Sequence, residues 1–197
     1  MGSSRYPFGT KSTATAVCRC GQVEITLSTR TPVLAGFCHC KDCRRSHAAP
    51  IYHFVYGGSA NICAKTGCSK EGTFELMIKK GVNRLVDAKR HPDEGQFSSF
   101  KKNPIVGGIG RLFCKDCGVM MLNAFFMRPN TEINPTSAAI EMYGLFTGTF
   151  TEEMSAFIES WQPQFHIWCS QATLPVSIFD DGIDKWETWP GGKKWTG

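Results

Sequence analysis

Apolar and polar residues alternate over two early runs, Ala14–Cys18 and Val23–Leu27, with Cys20-Gly21 between them. Successive side chains of a strand face opposite sides, so this pattern predicts a β-hairpin. Further strands are predicted over Val33–Cys38, Ile51–Tyr56 (ended by Gly57-Gly58), Phe74–Ile78, Arg84–Asp87, Ile140–Phe146 and Phe165–Trp168. A second hairpin is predicted from Arg111–Cys114 and Val119–Ala124, around Cys117-Gly118. Two stretches read as helical. One is a short turn over Asp42–His47, ended by Ala49-Pro50. The other follows a capping box, Thr149-x-x-Glu152, with Met154, Phe157, Ile158 and Trp161 at helical spacing. Residues 59–72, 91–110 and 129–137 are rich in loop formers, and the chain from Pro175 onward is a loop-rich aromatic tail. Many short strands, few helices and no internal repeat predict a mainly β protein. Its expected parts are a flexible lead-in over 1–13, one domain over 14–168, and an extension over 169–197 packed on that domain.

Composition narrows the class. The 197 residues are 42% hydrophobic and 20% charged, enough apolar material for a real core and too much for wholesale disorder. No apolar run approaches the roughly 18 residues of a membrane span. Residues 1–130 hold 19 Lys and Arg against 8 Asp and Glu, whereas residues 131–197 hold 3 against 9. The basic residues are dispersed; Arg44-Arg45, Lys79-Lys80 and Lys101-Lys102 are pairs only, so no nucleic-acid arm is predicted. The feature that changes the picture is the ten cysteines. Met1–Arg5 lacks the apolar core of a secretion signal. A reducing, cytoplasmic location is therefore expected, where thiols bind metal more often than they form bridges.

Seven of the ten fall in three clusters: Cys18-Arg19-Cys20-Gly21, Cys38-His39-Cys40-Lys41-Asp42-Cys43 and Cys114-Lys115-Asp116-Cys117-Gly118. Two sulfurs cannot complete a zinc shell, so each outer pair needs a partner. The outer clusters sit in the two predicted hairpins. Pairing them gives Cys18, Cys20, Cys114 and Cys117 as a closed structural site. The middle cluster offers Cys38, Cys40 and Cys43, three ligands with a fourth position open, as catalytic zinc requires. The alternative is that all seven thiols serve purely structural sites. His39 lies between two cysteines, and strand alternation should turn it away from them. His39, His47 and Asp42 are the nearest groups able to move a proton, and each also has a plain structural reading. Arg44 and Arg45 can hold a carboxylate or simply be solvated. Cys63 and Cys68 read as free thiols, and Cys169 as core.

These clusters, with Phe37–Arg45, Ala48-Ala49-Pro50 and Arg111–Gly118, resemble the glutathione-dependent formaldehyde-activating enzyme family, which also includes centromere protein V. The run Arg44–Pro50 and the tryptophan-bearing tail are similar to the broad family rather than to its founding glutathione enzymes. The resemblance implies a β-tent of small antiparallel sheets around zinc. It implies two Zn2+ sites: a structural one on Cys18, Cys20, Cys114 and Cys117, and a catalytic one on Cys38, Cys40 and Cys43. It implies a carbon–sulfur lyase that joins glutathione to formaldehyde, as S-hydroxymethylglutathione synthase does. The expected partner is a small molecule, such as a glutathione adduct, with a second copy of the chain as the candidate for self-association and no membrane. The competing readings are a lyase or isomerase recruited to another metabolite, and a non-catalytic binding module stabilised by zinc.

Overall fold

The computed structural model describes residues 8–58, 75–87, 108–127 and 140–197. Strands β1 (Thr13–Val17) and β2 (Glu24–Ser28) form the first predicted hairpin, and β5 (Glu75–Lys80) joins them in a three-stranded antiparallel sheet. The second sheet has eight strands. They are β3 (Leu34–Cys38), β4 (Tyr52–Gly58), β6 (Leu85–Asp87), β7 (Gly108–Cys114), β8 (Met120–Met127), β9 (Ile140–Phe146), β10 (Phe165–Ile167) and β11 (Asp184–Lys185). Their order is β11-β10-β3-β4-β9-β8-β7-β6. The α-helix in the described residues is α1 (Lys41–His47). The protein is mainly β, as the pattern predicts.

The large sheet is buried on both faces. Along β4, Phe54 and Tyr56 pack in one cluster while Val55, between them, packs in the other. A strand covered on both sides reads as a continuous apolar run rather than a clean alternation, and Phe54-Val55-Tyr56 is such a run. One face meets the three-stranded sheet through Ala14, Ala16, Ile25 and Leu27 against Leu122, Ala124 and Leu145. The opposite face carries Cys38, Cys43, Met120, Met142 and Phe146.

Four details depart from the sequence reading. First, no α-helix follows the predicted capping box. Residues 154–161 instead make two 3-10 turns, Met154–Ala156 and Glu159–Trp161, with Phe157 and Ile158 extended between them. The backbone groups a helix would use internally are taken by the lead-in: Gly9 N–H donates to Phe157 O, Lys11 N–H to Ala156 O, and Ile158 N–H to Lys11 O. Glu152 is occupied by Thr15 N–H and the Thr151 hydroxyl rather than by a cap. The predicted apolar residues still reach the core, where Phe157 and Trp161 stack with ring centroids 4.7 Å apart. Second, the edge of the large sheet is parallel: β10 pairs with both β3 and β11. Third, Gly57-Gly58 extends β4 instead of ending it, because both pair with β9. Fourth, residues 108–110, expected in a loop, begin β7.

His53 on β4 gives a measurable consequence. It is 9% exposed and its Nε2 has no hydrogen-bond partner. Burial lowers its pKa from 6.5 to about 4. The unfolded chain therefore binds a proton between those values that the folded chain refuses. Stability is full above pH 6.5 and falls as pH drops towards 4, by on the order of 3 kcal/mol from this group. Urea unfolding of His53→Phe across that window should show a slope against pH shallower by up to about one proton than the parent. An identical slope would refute the assignment.

Candidate metal centres and cavity

Two glycine-closed turns, differing by one residue in length, present the outer cysteines. In the first, Gly21 N–H donates to Cys18 O and Cys18 N–H to Val23 O; in the second, Gly118 N–H donates to Cys114 O and Cys114 N–H to Val119 O. Gly21 and Gly118 stand at φ 69° and 72°, a region glycine enters without penalty. The two turns converge, so that the sulfurs of Cys18, Cys20, Cys114 and Cys117 all lie within 4.8 Å of one another. Cys18 and Cys20 are 3.5 Å apart, and Cys20 and Cys114 are 3.7 Å apart. Cys117 is the acidic member, at about 7: burial opposes its ionisation, but the Val119 and Cys20 backbone amides and the neighbouring thiols outweigh it.

The middle cluster forms where β3 runs into α1. Cys38 ends the strand, Cys40 is the N-cap of the helix and Cys43 lies in its first turn. Cys40 does the work usually given to serine or aspartate, its sulfur accepting from Cys43 N–H at 3.3 Å. Cys38 sulfur accepts from Cys40 N–H at 3.4 Å. The three sulfurs lie within 4.8 Å of one another, and no histidine or carboxylate joins them among the described residues. Cys43 carries the negative charge: the thiols of Cys38 and Cys40 draw its pKa to about 2 against burial, helped by Tyr52 and Arg111. Arg111 Nη2 stands 3.7 Å from its sulfur.

A cavity of about 40 Å³ opens beside these thiols, walled by Leu34, Phe54, Met142, Ile167 and Trp168, with Tyr52, Tyr56 and Asn123 as its polar members. Burial holds the Tyr52 and Tyr56 hydroxyls well above their ordinary range, so both stay protonated. Trp168 adopts a left-handed backbone, φ 59°, rare for a bulky residue. Its N–H donates to Thr188 O, which anchors that conformation at the cavity rim.

The histidines part company. His39 turns away from the sulfurs, as alternation predicts. Its Nε2 meets His166 Nδ1 at 2.8 Å, and His166 Nε2 meets Asp181 at 2.6 Å. Burial lowers both histidines, His39 to about 4, so both are neutral near pH 7. Asp181 then fixes the tautomers: His166 donates from Nε2 and accepts at Nδ1 from His39. His47 stacks on Tyr52, ring centroids 4.6 Å apart, and its buried Nε2 has no partner. Asp42 is exposed. Arg44 is engaged by main-chain oxygens of His39 and Gln171, while Arg45 is exposed. Cys169 is core at 1% exposure. Cys63 and Cys68 lie outside the described residues.

Sequence reasoning missed Arg111, Asn123, Tyr56 and the His166–Asp181 pair. Arg111 had a signal: an arginine inside the otherwise apolar Gly108–Cys114 asks for a buried anion.

Residues 13–86 match the model of the family described as "Glutathione-dependent formaldehyde-activating enzyme". The resemblance carried by the cysteine motifs is thus supported independently of the fold. The match contains Cys18, Cys20 and the whole middle cluster, and ends before Cys114. Founding members of this family are enzymes, and the two thiol clusters here can each hold a metal ion. A comparison with curated proteins gave no match. No helix among the described residues is long and apolar enough to cross a membrane.

Two outcomes follow. Native mass spectrometry after zinc loading should find two ions per chain and one in Cys40→Ser, whose hydroxyl preserves the cap. A single ion in the parent would count against the second site. Asp181→Ala should lower stability by about 1–3 kcal/mol, since it strands a buried imidazole N–H, and Asp181→Asn by less. Denaturant midpoints for Asp181→Ala equal to the parent would exclude the chain as a stabilising element.

Proposed function

We propose that the chain is a zinc-dependent enzyme that joins a thiol to a small carbonyl compound and cleaves the adduct in reverse, with glutathione and formaldehyde as the first pair to test. The observation that carries this reading is a three-thiol cluster, without a fourth protein ligand among the described residues, opening on a cavity. The donor chemistry suits zinc. With Zn–S bonds of about 2.3 Å, a tetrahedral shell has S···S edges of about 3.8 Å. The outer cluster stands at 3.5 and 3.7 Å before any metal is considered. Those four thiols would hold a structural ion, and Cys38, Cys40 and Cys43 the second.

Zinc held by Cys38, Cys40 and Cys43 would supply a Lewis acid and would favour the thiolate form of a substrate thiol at neutral pH. The rest belongs to the chain. The thiol sulfur bonds to the carbonyl carbon, the carbonyl π bond breaks, and the proton lost by the thiol ends on the new hydroxyl. No electrons are exchanged with a third partner. The apolar walls exclude water from the addition, which strengthens every polar contact inside. The cavity, about 40 Å³, suits a small group beside the thiols rather than a whole tripeptide. Arg111 offsets the charge of Cys43 and so favours its ionised form.

Exchange NMR of glutathione with formaldehyde should show adduct formation faster with zinc-loaded protein than without. The acceleration should fall at least about 100-fold in Cys40→Ser, the scale of a lost catalytic group. Equal rates for parent, variant and buffer would reject this pair of substrates. A fourth protein ligand closing the middle cluster would reject an enzyme of this type.

A further inference from the structure

One row of residues crosses the large sheet on its cavity face. Arg111 on β7 is paired with Asn123 on β8, Asn123 with Gly144 on β9, and Gly144 with Tyr56 on β4. Their sequence neighbours Leu112, Leu122, Ala124, Leu145 and Val55 all pack on the opposite face. The row is therefore polar within an apolar sheet, and it faces the thiols. Gly144 makes it continuous. A Cβ there would stand 2.7 Å from the Tyr56 ring, so the ring lies flat across the glycine. That placement lets the Tyr56 hydroxyl accept a 2.7 Å hydrogen bond from Asn123 Nδ2.

Two atoms of the row are left over. Asn123 is 1% exposed and lines the cavity, and its Oδ1 has no partner; Arg111, its cross-strand partner, has a buried Nε that has none either. An orphaned buried acceptor costs about 1–3 kcal/mol, so its retention at a cavity wall points to a ligand. The pair is one acceptor and one donor. A carbonyl oxygen would satisfy only the donor, and an ammonium only the acceptor. A hydroxyl satisfies both, donating to Asn123 and accepting from Arg111.

We propose that Asn123, oriented by Tyr56 and flanked by Arg111, binds a hydroxyl that a thiol adduct carries close to its sulfur. This rests on the thiol-binding reading above. Asn123 thereby selects the hydroxyl-bearing adduct over a plain thiol or thioether. Tyr56 is a positioning residue, acting through the Asn123 amide.

The test uses two thiols of matched length, 2-mercaptoethanol and 1-propanethiol, titrated calorimetrically into the zinc-loaded full chain. The quantity read is the ratio of their affinities, which cancels the shared thiol contribution. Asn123→Ala should shift that ratio about tenfold against the hydroxyl compound, or about 1.4 kcal/mol. Tyr56→Phe, which keeps the ring and removes the hydroxyl that fixes the amide, should shift it severalfold in the same direction. Zinc content and thermal midpoint show that each variant is folded and loaded, and Tyr56→Phe alone decides if Asn123→Ala does not fold. An unchanged ratio, with thiol binding intact, overturns this inference and leaves the orphaned atoms to ordered water. Failure of the parent to bind either thiol overturns the thiol-binding reading and this one with it.

Discussion

Everything near the cavity depends on four sulfurs meeting. Cys20 and Cys114 are 94 residues apart in the chain, yet their sulfurs stand 3.7 Å apart. That meeting ties the β1–β2 turn to the β7–β8 turn and so fixes how the three-stranded sheet lies against the larger one. β7 and β8 then carry Arg111 and Asn123 to the opposite face. Long-range contacts of this kind carry a loop-closure cost that a shared ion can offset, because ion binding exists only in the folded chain. The outer cluster is therefore more than a staple: it sets the strands that complete the inner one.

The inner cluster shows an economy of backbone. A strand end, an N-cap and a first helical turn place three sulfurs together within six residues. Since Cys40 caps the helix with its own sulfur, the start of α1 and the thiol set are one local structure. The His39–His166–Asp181 chain braces it from behind and attaches the C-terminal segment, through His166 on β10 and Asp181 ahead of β11, to the loop that holds the thiols. Its histidines are buried and neutral, which suits a brace better than a proton relay.

Much of this was legible in the sequence. The cysteine spacings gave both clusters, period-two alternation located β1 and β2, and strand-like runs bounded by turn residues located β3, β4 and β7 to β9 to within a few residues. What failed did so where distant partners took over. Residues 154–161 have helical spacing, but Gly9 and Lys11 claim their backbone groups, and no local signal announces that. The parallel pairing of β3, β10 and β11 joins segments far apart in sequence. The polar row was invisible for the same reason. Arg111, Asn123, Gly144 and Tyr56 lie on four strands, and only the register brings them side by side. Arg44 looked available for a substrate carboxylate because its two main-chain acceptors, on His39 and Gln171, are supplied by the fold.

Gly144 touches none of the thiols, yet the breadth of the recess depends on it. The Tyr56 ring rests where a side chain at 144 would be, and a methyl there would force the ring towards the cavity or away from Asn123. The breadth of the recess beside the thiols is thus set from the strand behind it. Widening the recess would require remodelling the wall around Phe54 and Met142, because the floor is already as low as an amino acid allows.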